Sequence, residues 1–337
     1  MLEIKRHPKN PIIIPGEQNI RKVVTFNPGA IFNNGKFYLY DRAAETLSPF
    51  RTSIGILESE NGVDFKPVQD EPVFTSEQLG FEEGSVQDPR VVKIEDKFYM
   101  NYAFQPYGFD CHPTGLGVPF YDVSGYPKWK EEAYPMITRS GIAVSDDGIT
   151  FKQLCYTSPK EIDDRDHILF PEKIDGKYAL LRRPIEFVGE EYGTDRPGIW
   201  LSFSDDLTEW SEPVLIARSE EKWEGKKIGA AANPIKTDQG WLVMYHGVDT
   251  GSVYKVGAFL LDLEDPTQMI ARTKNYIMEP EEYYEKVGLV IPNVVFPTSL
   301  VEKDGLLYIY YGVCDTSICL ATVETKQLVN HILDPNS

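Results

Sequence analysis

The sequence predicts an all-β protein, a five-bladed β-propeller, from a hairpin pattern that recurs five times, an acidic turn that recurs three times, and the spacing between the copies. The hairpin copies run Asn27–Tyr40, Asp88–Asn101, Phe170–Arg182, Ala232–Tyr245 and Phe296–Tyr310. Each sets a two-residue turn of the Asn-Gly or Asp-Gly type, or a close variant, between apolar runs, which is the strongest short-range hairpin signal. The turns begin near 34, 95, 175, 239 and 304, so the copies lie about 61, 80, 64 and 65 residues apart. Each interval is long enough for a four-stranded blade with its loops. A β-sandwich could use similar hairpins, but its strands recur at shorter spacing.

The acidic turns read Ser59-Glu-Asn-Gly-Val-Asp-Phe65, Ser145-Asp-Asp-Gly-Ile-Thr-Phe151 and Ser204-Asp-Asp-Leu-Thr-Glu-Trp210. Their short polar side chains bond their own backbone and the closing aromatic packs beneath, so a structural role is expected. The 337 residues suit either two average domains or one closed all-β fold, and the repeats favour a single propeller domain over 1–337. The longest interval contains Gln105 to Pro135, crowded with Pro, Gly and aromatic residues. It reads as a long excursion from blade two, either a binding loop whose aromatics stack on a sugar or a self-packed surface loop.

Composition narrows the function. Lys plus Arg number 34 against 52 Asp plus Glu, a net charge of −18, which disfavours nucleic acid and anionic membrane as partners. Cys111, Cys155, Cys314 and Cys319 have no CxxC spacing, and five histidines form no HExxH pattern, so no metal is expected. The N-terminal Met1–Pro8 lacks an apolar core and no long apolar run follows, so a cytoplasmic location is expected.

In a propeller the innermost strand of each blade lines the central channel, and functional groups collect where these strands begin. The repeats thus nominate Asn27, Asp88 and Arg90, Arg165, Lys227 and Asp315, with Arg183 and His246 later in blades three and four. The set places one or two carboxylates among several cations. Ordinary glycosidases need two carboxylates; where phosphate attacks, cations replace the second. Arg165, Arg183, Lys227 and His246 supply what an anion site needs: planar forks, a point charge and a titratable donor. A carboxyl among cations normally has a depressed pKa, which suits Asp88 poorly as a proton donor.

These residues sit in motifs that resemble glycoside hydrolase family 130 over nearly the whole chain. They include Phe26-Asn27-Pro28-Gly29-Ala30-Ile31, Asp41-Arg42-Ala43, Gln87-Asp88-Pro89-Arg90, Leu169-Phe170-Pro171-Glu172-Lys173, Lys227-Ile228-Gly229-Ala230, Tyr245-His246-Gly247-Val248 and Pro292-Asn293-Val294-Val295-Phe296-Pro297. The resemblance implies inverting phosphorolysis of a β-mannoside to α-mannose 1-phosphate, with inorganic phosphate as co-substrate and no other cofactor. Asp88 stands at the proton donor's place, its proton relayed through the mannose 3-hydroxyl, which answers the pKa objection. Asn27, Arg42, Asp88 and Asp315 would hold mannose; Arg165, Arg183, Lys227 and His246 would hold phosphate. A homo-oligomer is an expectation by family analogy alone.

Each assignment has a plainer counterpart. Asp88 before proline could only shape a turn, His246 could be a core histidine, and Arg165 could form a surface ion pair within Glu161–His167. Arg90 is expected to fix the Asp88 turn through a carboxylate. Strand alternation lets only one of Lys226 and Lys227 face the channel, and the pair Arg182-Arg183 leaves the phosphate ligand ambiguous by one residue. Two further readings stay open. An inverting β-mannosidase on the same fold would lack basic phosphate ligands and draw its base from Glu172 or Glu285; a non-catalytic propeller would bind glycans.

Overall fold

The hairpin turns fold as their residues demand. Asn34-Gly35, Asp175-Gly176 and Asp304-Gly305 all have positive φ at both positions (50° and 79°, 49° and 76°, 55° and 84°), the backbone of a type I′ turn, whose twist matches the flanking strands. The structure, a computed structural model, describes residues 2–17, 19–82, 84–105, 138–159 and 162–334. Most of the Gln105–Pro135 excursion therefore lies outside the described residues.

Five antiparallel sheets follow one another along the chain as the five blades of a β-propeller. Their innermost strands are Val24–Asn33, Ser85–Ile94, Asp164–Leu169, Lys227–Ala230 and Phe296–Lys303, and each pairs with the next strand outward in its blade. Blade five is completed by the other end of the chain. Lys5–Arg6 forms its outermost strand, with Lys5 opposite Thr322 and Arg6 opposite Ala321, a closure that the repeats alone do not reveal. The C-terminal helix Thr325–Leu333 buries Leu328, Val329 and Ile332 against the core shared by blades four and five. No helix among the described residues is long and apolar enough to cross a membrane.

The acidic turns join neighbouring blades. Ser59 Oγ accepts the Gly62 amide at 3.0 Å while Asn61 Oδ1 accepts those of Val63 and Asp64 at 2.9 Å each. The same pattern repeats at Ser145 and Asp147, and at Ser204 and Asp206. The tightened loop then offers a carbonyl to the blade before it: Tyr310 Oη donates to Gly62 O at 2.8 Å, and Tyr40 Oη to Gly148 O at 2.9 Å. The closing rings of Phe65 and Phe151 pack edge-on against those same tyrosines.

Two buried glutamates play matching parts. Glu224 Oε2 accepts the amides of Glu220 and Glu221, and Oε1 takes Tyr245 Oη at 2.7 Å and Arg272 Nη2 at 2.6 Å. Glu285 Oε2 accepts the amides of Glu281 and Glu282, and Oε1 takes Tyr311 Oη at 2.9 Å and Arg6 Nε at 2.8 Å. Glu285 thus ties the N-terminal strand to blade five. It is fully buried, and removing it would leave the buried Tyr311 hydroxyl and the Nε edge of Arg6 without a partner, although Glu281 and the Glu279 carbonyl still hold the other guanidinium nitrogens; such a loss typically costs about 3 kcal/mol. Glu172 is half-exposed and paired with Lys236, an arrangement worth at most about 1 kcal/mol. In urea unfolding, Glu285→Ala should lose about 3 kcal/mol of stability and Glu172→Ala less than about 1; equal losses would refute the structural role given to Glu285.

Candidate active site

The innermost strands do more than converge. Against its neighbour, the first slips register between Phe26 and Gly29, the second between Gln87 and Arg90, and the third between Arg165 and Ile168. Within each slip stands one polar residue in left-handed backbone: Asn27 (φ 45°), Asp88 (49°) and Asp166 (53°). Asn and Asp tolerate this conformation best after glycine, and the bulge re-aims the side chains around it.

The result is a cavity of about 300 Å³ lined by the eight residues that the resemblance assigns to mannose and phosphate: Asn27, Arg42, Asp88, Arg165, Arg183, Lys227, His246 and Asp315. Arg90, Asp166, Gln87, Gln105 and Tyr254 join them, with Phe26, Phe50, Val290, Ile291, Val294 and Phe296 as an apolar wall. Among the described residues no group of three or more His, Cys, Asp or Glu could hold a metal ion.

One group of lining residues is built around Asp88. Its Oδ1 accepts Asn27 Nδ2 at 2.9 Å and Arg42 Nη1 at 3.1 Å. Arg42 is steadied by Thr52 Oγ1 at 3.2 Å and by the Phe26 ring, 4.6 Å from its guanidinium carbon. Asn27 fits only because residue 312 is glycine; a Cβ there would overlap its side chain. Asp315 is pushed up to about 6 by burial, with Asp88 adding repulsion against the pull of Arg42.

The second group is cationic. Arg183 donates Nε to Asp166 Oδ2 at 2.6 Å, and His246 Nε2 lies 3.7 Å from the same oxygen. Arg165 grips Asp163 with two bonds of 2.6 Å, so the ion pair considered from sequence exists, yet the side chain still reaches the cavity. Burial pushes Lys227 down to about 7, with Arg183 and Arg165 adding to the shift. Burial also takes His246 down to about 3 despite Asp166. Burial therefore favours the neutral, hydrogen-bonding form of His246. Burial alone would raise Asp166, but Arg183, His246 and Arg90 outweigh it and hold the carboxylate well below its usual range. Gly229 makes the cluster sterically feasible: a Cβ there would fall on Asp166 Oδ2, 2.5 Å from His246 Cε1 and 2.8 Å from Arg183 Nε.

Arg90 links the two groups. It donates to the Asp88 carbonyl at 2.8 Å and the Ala231 carbonyl at 3.2 Å, and meets Asp166 Oδ1 at 3.5 Å. It does fix the Asp88 turn, through the main chain. The sequence ambiguities resolve by alternation: Arg182 turns away to Asp164, itself beside His167, while Arg183 enters the cavity. Lys226 is exposed and bonded to Ser252. Two buried atoms of the cationic group, Arg183 Nη1 and His246 Nδ1, have no hydrogen-bond partner among the described residues. Neither Glu172 nor Glu285 lines the cavity, which removes both as the base of a hydrolase.

Residues 4–118 and 121–334 match the family model of glycoside hydrolase 130, described as β-1,4-mannooligosaccharide phosphorylase. The chain belongs to glycoside hydrolase family 130. A 1,2-β-oligomannan phosphorylase of Thermoanaerobacter sp. (strain X514) is 35% identical to it, covering 97% of this chain and 99% of that one. A β-1,2-mannobiose phosphorylase of the same organism is 36% identical, again over 97% and 99%. Among solved structures, the β-1,2-mannobiose phosphorylase of Listeria innocua in complex with β-1,2-mannobiose superposes with a TM-score of 0.77, at 22% identity over 98% of this chain and 99% of that one, a likeness of fold.

Sequence reasoning missed one charged group of the family-130 cavity, Asp166, along with the polar Gln87, Gln105 and Tyr254. The signal for Asp166 was the run Asp163-Asp164-Arg165-Asp166-His167, which reads as a solvated charge cluster unless a bulge is foreseen.

Folding raises Asp315 from 3.8 to about 6, so the unfolded chain releases this proton first as pH rises and the group costs stability above that range. Asp315→Asn should raise the melting temperature at about pH 8 and leave it unchanged at about pH 3.5. An equal gain at both values would mean that ionisation is not the cause.

Proposed function

We propose that this family-130 protein is an inverting phosphorolytic enzyme of β-mannosides that releases α-mannose 1-phosphate. The observation that carries the reading is the make-up of the cavity: a carboxylate with its hydrogen-bonding partners adjoins a cationic group in which buried Arg183 Nη1 and His246 Nδ1 lack partners. Buried polar atoms are rarely left so, and a phosphate oxyanion offers several acceptor oxygens to such a cluster.

In this reading Asn27, Arg42 and Asp315 hold the terminal mannose, and Arg165, Arg183, Lys227 and His246 hold phosphate. A phosphate oxygen attacks C1 on the face away from the glycosidic oxygen. The C1–O bond breaks with its electron pair passing to the departing oxygen, which receives the proton of Asp88 through the mannose 3-hydroxyl. The cations offset the charge of the nucleophile and position it, which replaces activation of water by a second carboxylate. Hydrolysis fits less well. No glutamate lines the cavity among the described residues, and Asp166, the remaining lining carboxylate, is engaged by Arg183 and Arg90.

The two Thermoanaerobacter relatives are named for β-1,2-linked mannosides, and others for β-1,4-mannooligosaccharides and mannosyl-glucose, which makes β-1,2-mannobiose the first substrate to try, followed by β-1,4-mannobiose and mannosyl-glucose. Incubation with and without inorganic phosphate, followed by phosphorus and proton NMR, should give α-mannose 1-phosphate only when phosphate is present. Asp88→Asn should lower turnover at least about 10³-fold. Free mannose formed regardless of phosphate would overturn the proposal.

A further inference from the structure

Asp166 is a fixed negative charge in a pocket read as binding an anion. It is buried in the bulge of the third innermost strand, 2.6 Å from Arg183 Nε, 3.5 Å from Arg90 Nη2 and 3.7 Å from His246 Nε2. A carboxylate there repels a phosphate, so its presence has to be accounted for by what it does to the cations around it.

Two effects follow from the geometry. The bond to Nε fixes the Arg183 guanidinium at its inner edge, and Nη1, buried and without a partner among the described residues, stays available to a ligand. The second effect concerns Lys227. From blade three it is faced by the cations Arg183 and Arg165 and by the carboxylates Asp166 and Asp163; from its own blade come the Tyr254 ring, 5.7 Å from Nζ, and the neutral His246. Asp163 is already gripped by both arms of Arg165. Burial and the two arginines favour the neutral amine, and Asp166 is the larger of the two carboxylate influences opposing them.

We propose that Asp166 is a positioning residue of the anion pocket: its carboxylate orients Arg183 through Nε, and its charge keeps Lys227 an ammonium ion beside two arginines. The inference rests on the phosphate reading above and extends it to a residue that does not touch the sugar.

Asp166→Asn separates the two contributions, because Asn keeps the size and an acceptor oxygen but removes the charge. Inorganic phosphate is titrated calorimetrically into the wild-type protein and the variant across about pH 5.5 to 8.5, the phosphate's own ionisation cancelling in the comparison. With Lys227 already near 7, losing the carboxylate should move the alkaline loss of affinity about one pH unit lower and weaken phosphate binding about tenfold near pH 7.5, with recovery on acidification. The KM for the mannoside should change less than about twofold. An unmoved pH profile, or equal losses for phosphate and sugar, would overturn the proposal. Lys227→Arg, which cannot lose its proton, should abolish the alkaline limb. A limb that persists in that variant would also overturn the proposal, even if Asp166→Asn fails to fold. Wild-type protein that binds no phosphate would instead bring down the phosphate reading itself, and this inference with it.

Discussion

In blades one to three the innermost strand gives up regular pairing at a single left-handed Asn or Asp, and the arrangement of the cavity depends on that slip. A regular strand sends successive side chains to opposite faces. With the bulge, Arg165 and Asp166 both line the cavity although they are adjacent in sequence. Each left-handed residue costs about 1 kcal/mol, and the cost is borne at positions that line the cavity, as local strain at such sites tends to be. The slips recur because the blades are copies. Blade five slips as well, between Pro297 and Ser299, without a left-handed residue at the step.

The second constraint is charge. A protein of net charge −18 buries several arginines, and each has a carboxylate to meet it: Arg21 with Asp41, Arg182 with Asp164, Arg272 with Glu224. Desolvating a guanidinium without such a partner would cost several kcal/mol. In the cavity the balance changes. Arg183 meets Asp166 and Arg165 meets Asp163, but Lys227 has no ion pair among the described residues and two buried nitrogens lack partners. That shortfall of negative charge distinguishes the cavity from the structural ion pairs around it.

Much of this was legible in the sequence because the repeats carry strong local signals. The type I′ turns, the Ser-led acidic turns and the alternation that separates Lys226 from Lys227 are each decided within a few residues. Arg183 against Arg182 needed the sheet register, which sequence does not supply. Asp166 is hidden in the sequence because Phe170-Pro171 matches Asn27-Pro28 and Asp88-Pro89 and draws the third copy's start to itself. In the fold that Pro lies beyond the strand Asp164–Leu169, and the residue equivalent to Asn27 and Asp88 stands earlier. Glu285 stood out as a spare carboxylate, yet besides the nearby amides of Glu281 and Glu282 it is held by two donors far from it along the chain, Arg6 and Tyr311. Closure of blade five by Lys5–Arg6 pairs the two ends of the chain, which no local pattern announces.

On the proposed function, the cationic half of the cavity is a phosphate site placed for attack on a sugar held by Asp88 and its neighbours. Diffraction from crystals grown with inorganic phosphate and mannose tests it most directly. Phosphate should bond to Arg165, Arg183, Lys227 and His246, with a phosphate oxygen in line with C1 of a mannose that contacts Asp88. Phosphate bound elsewhere, or mannose occupying the cationic half, would contradict it.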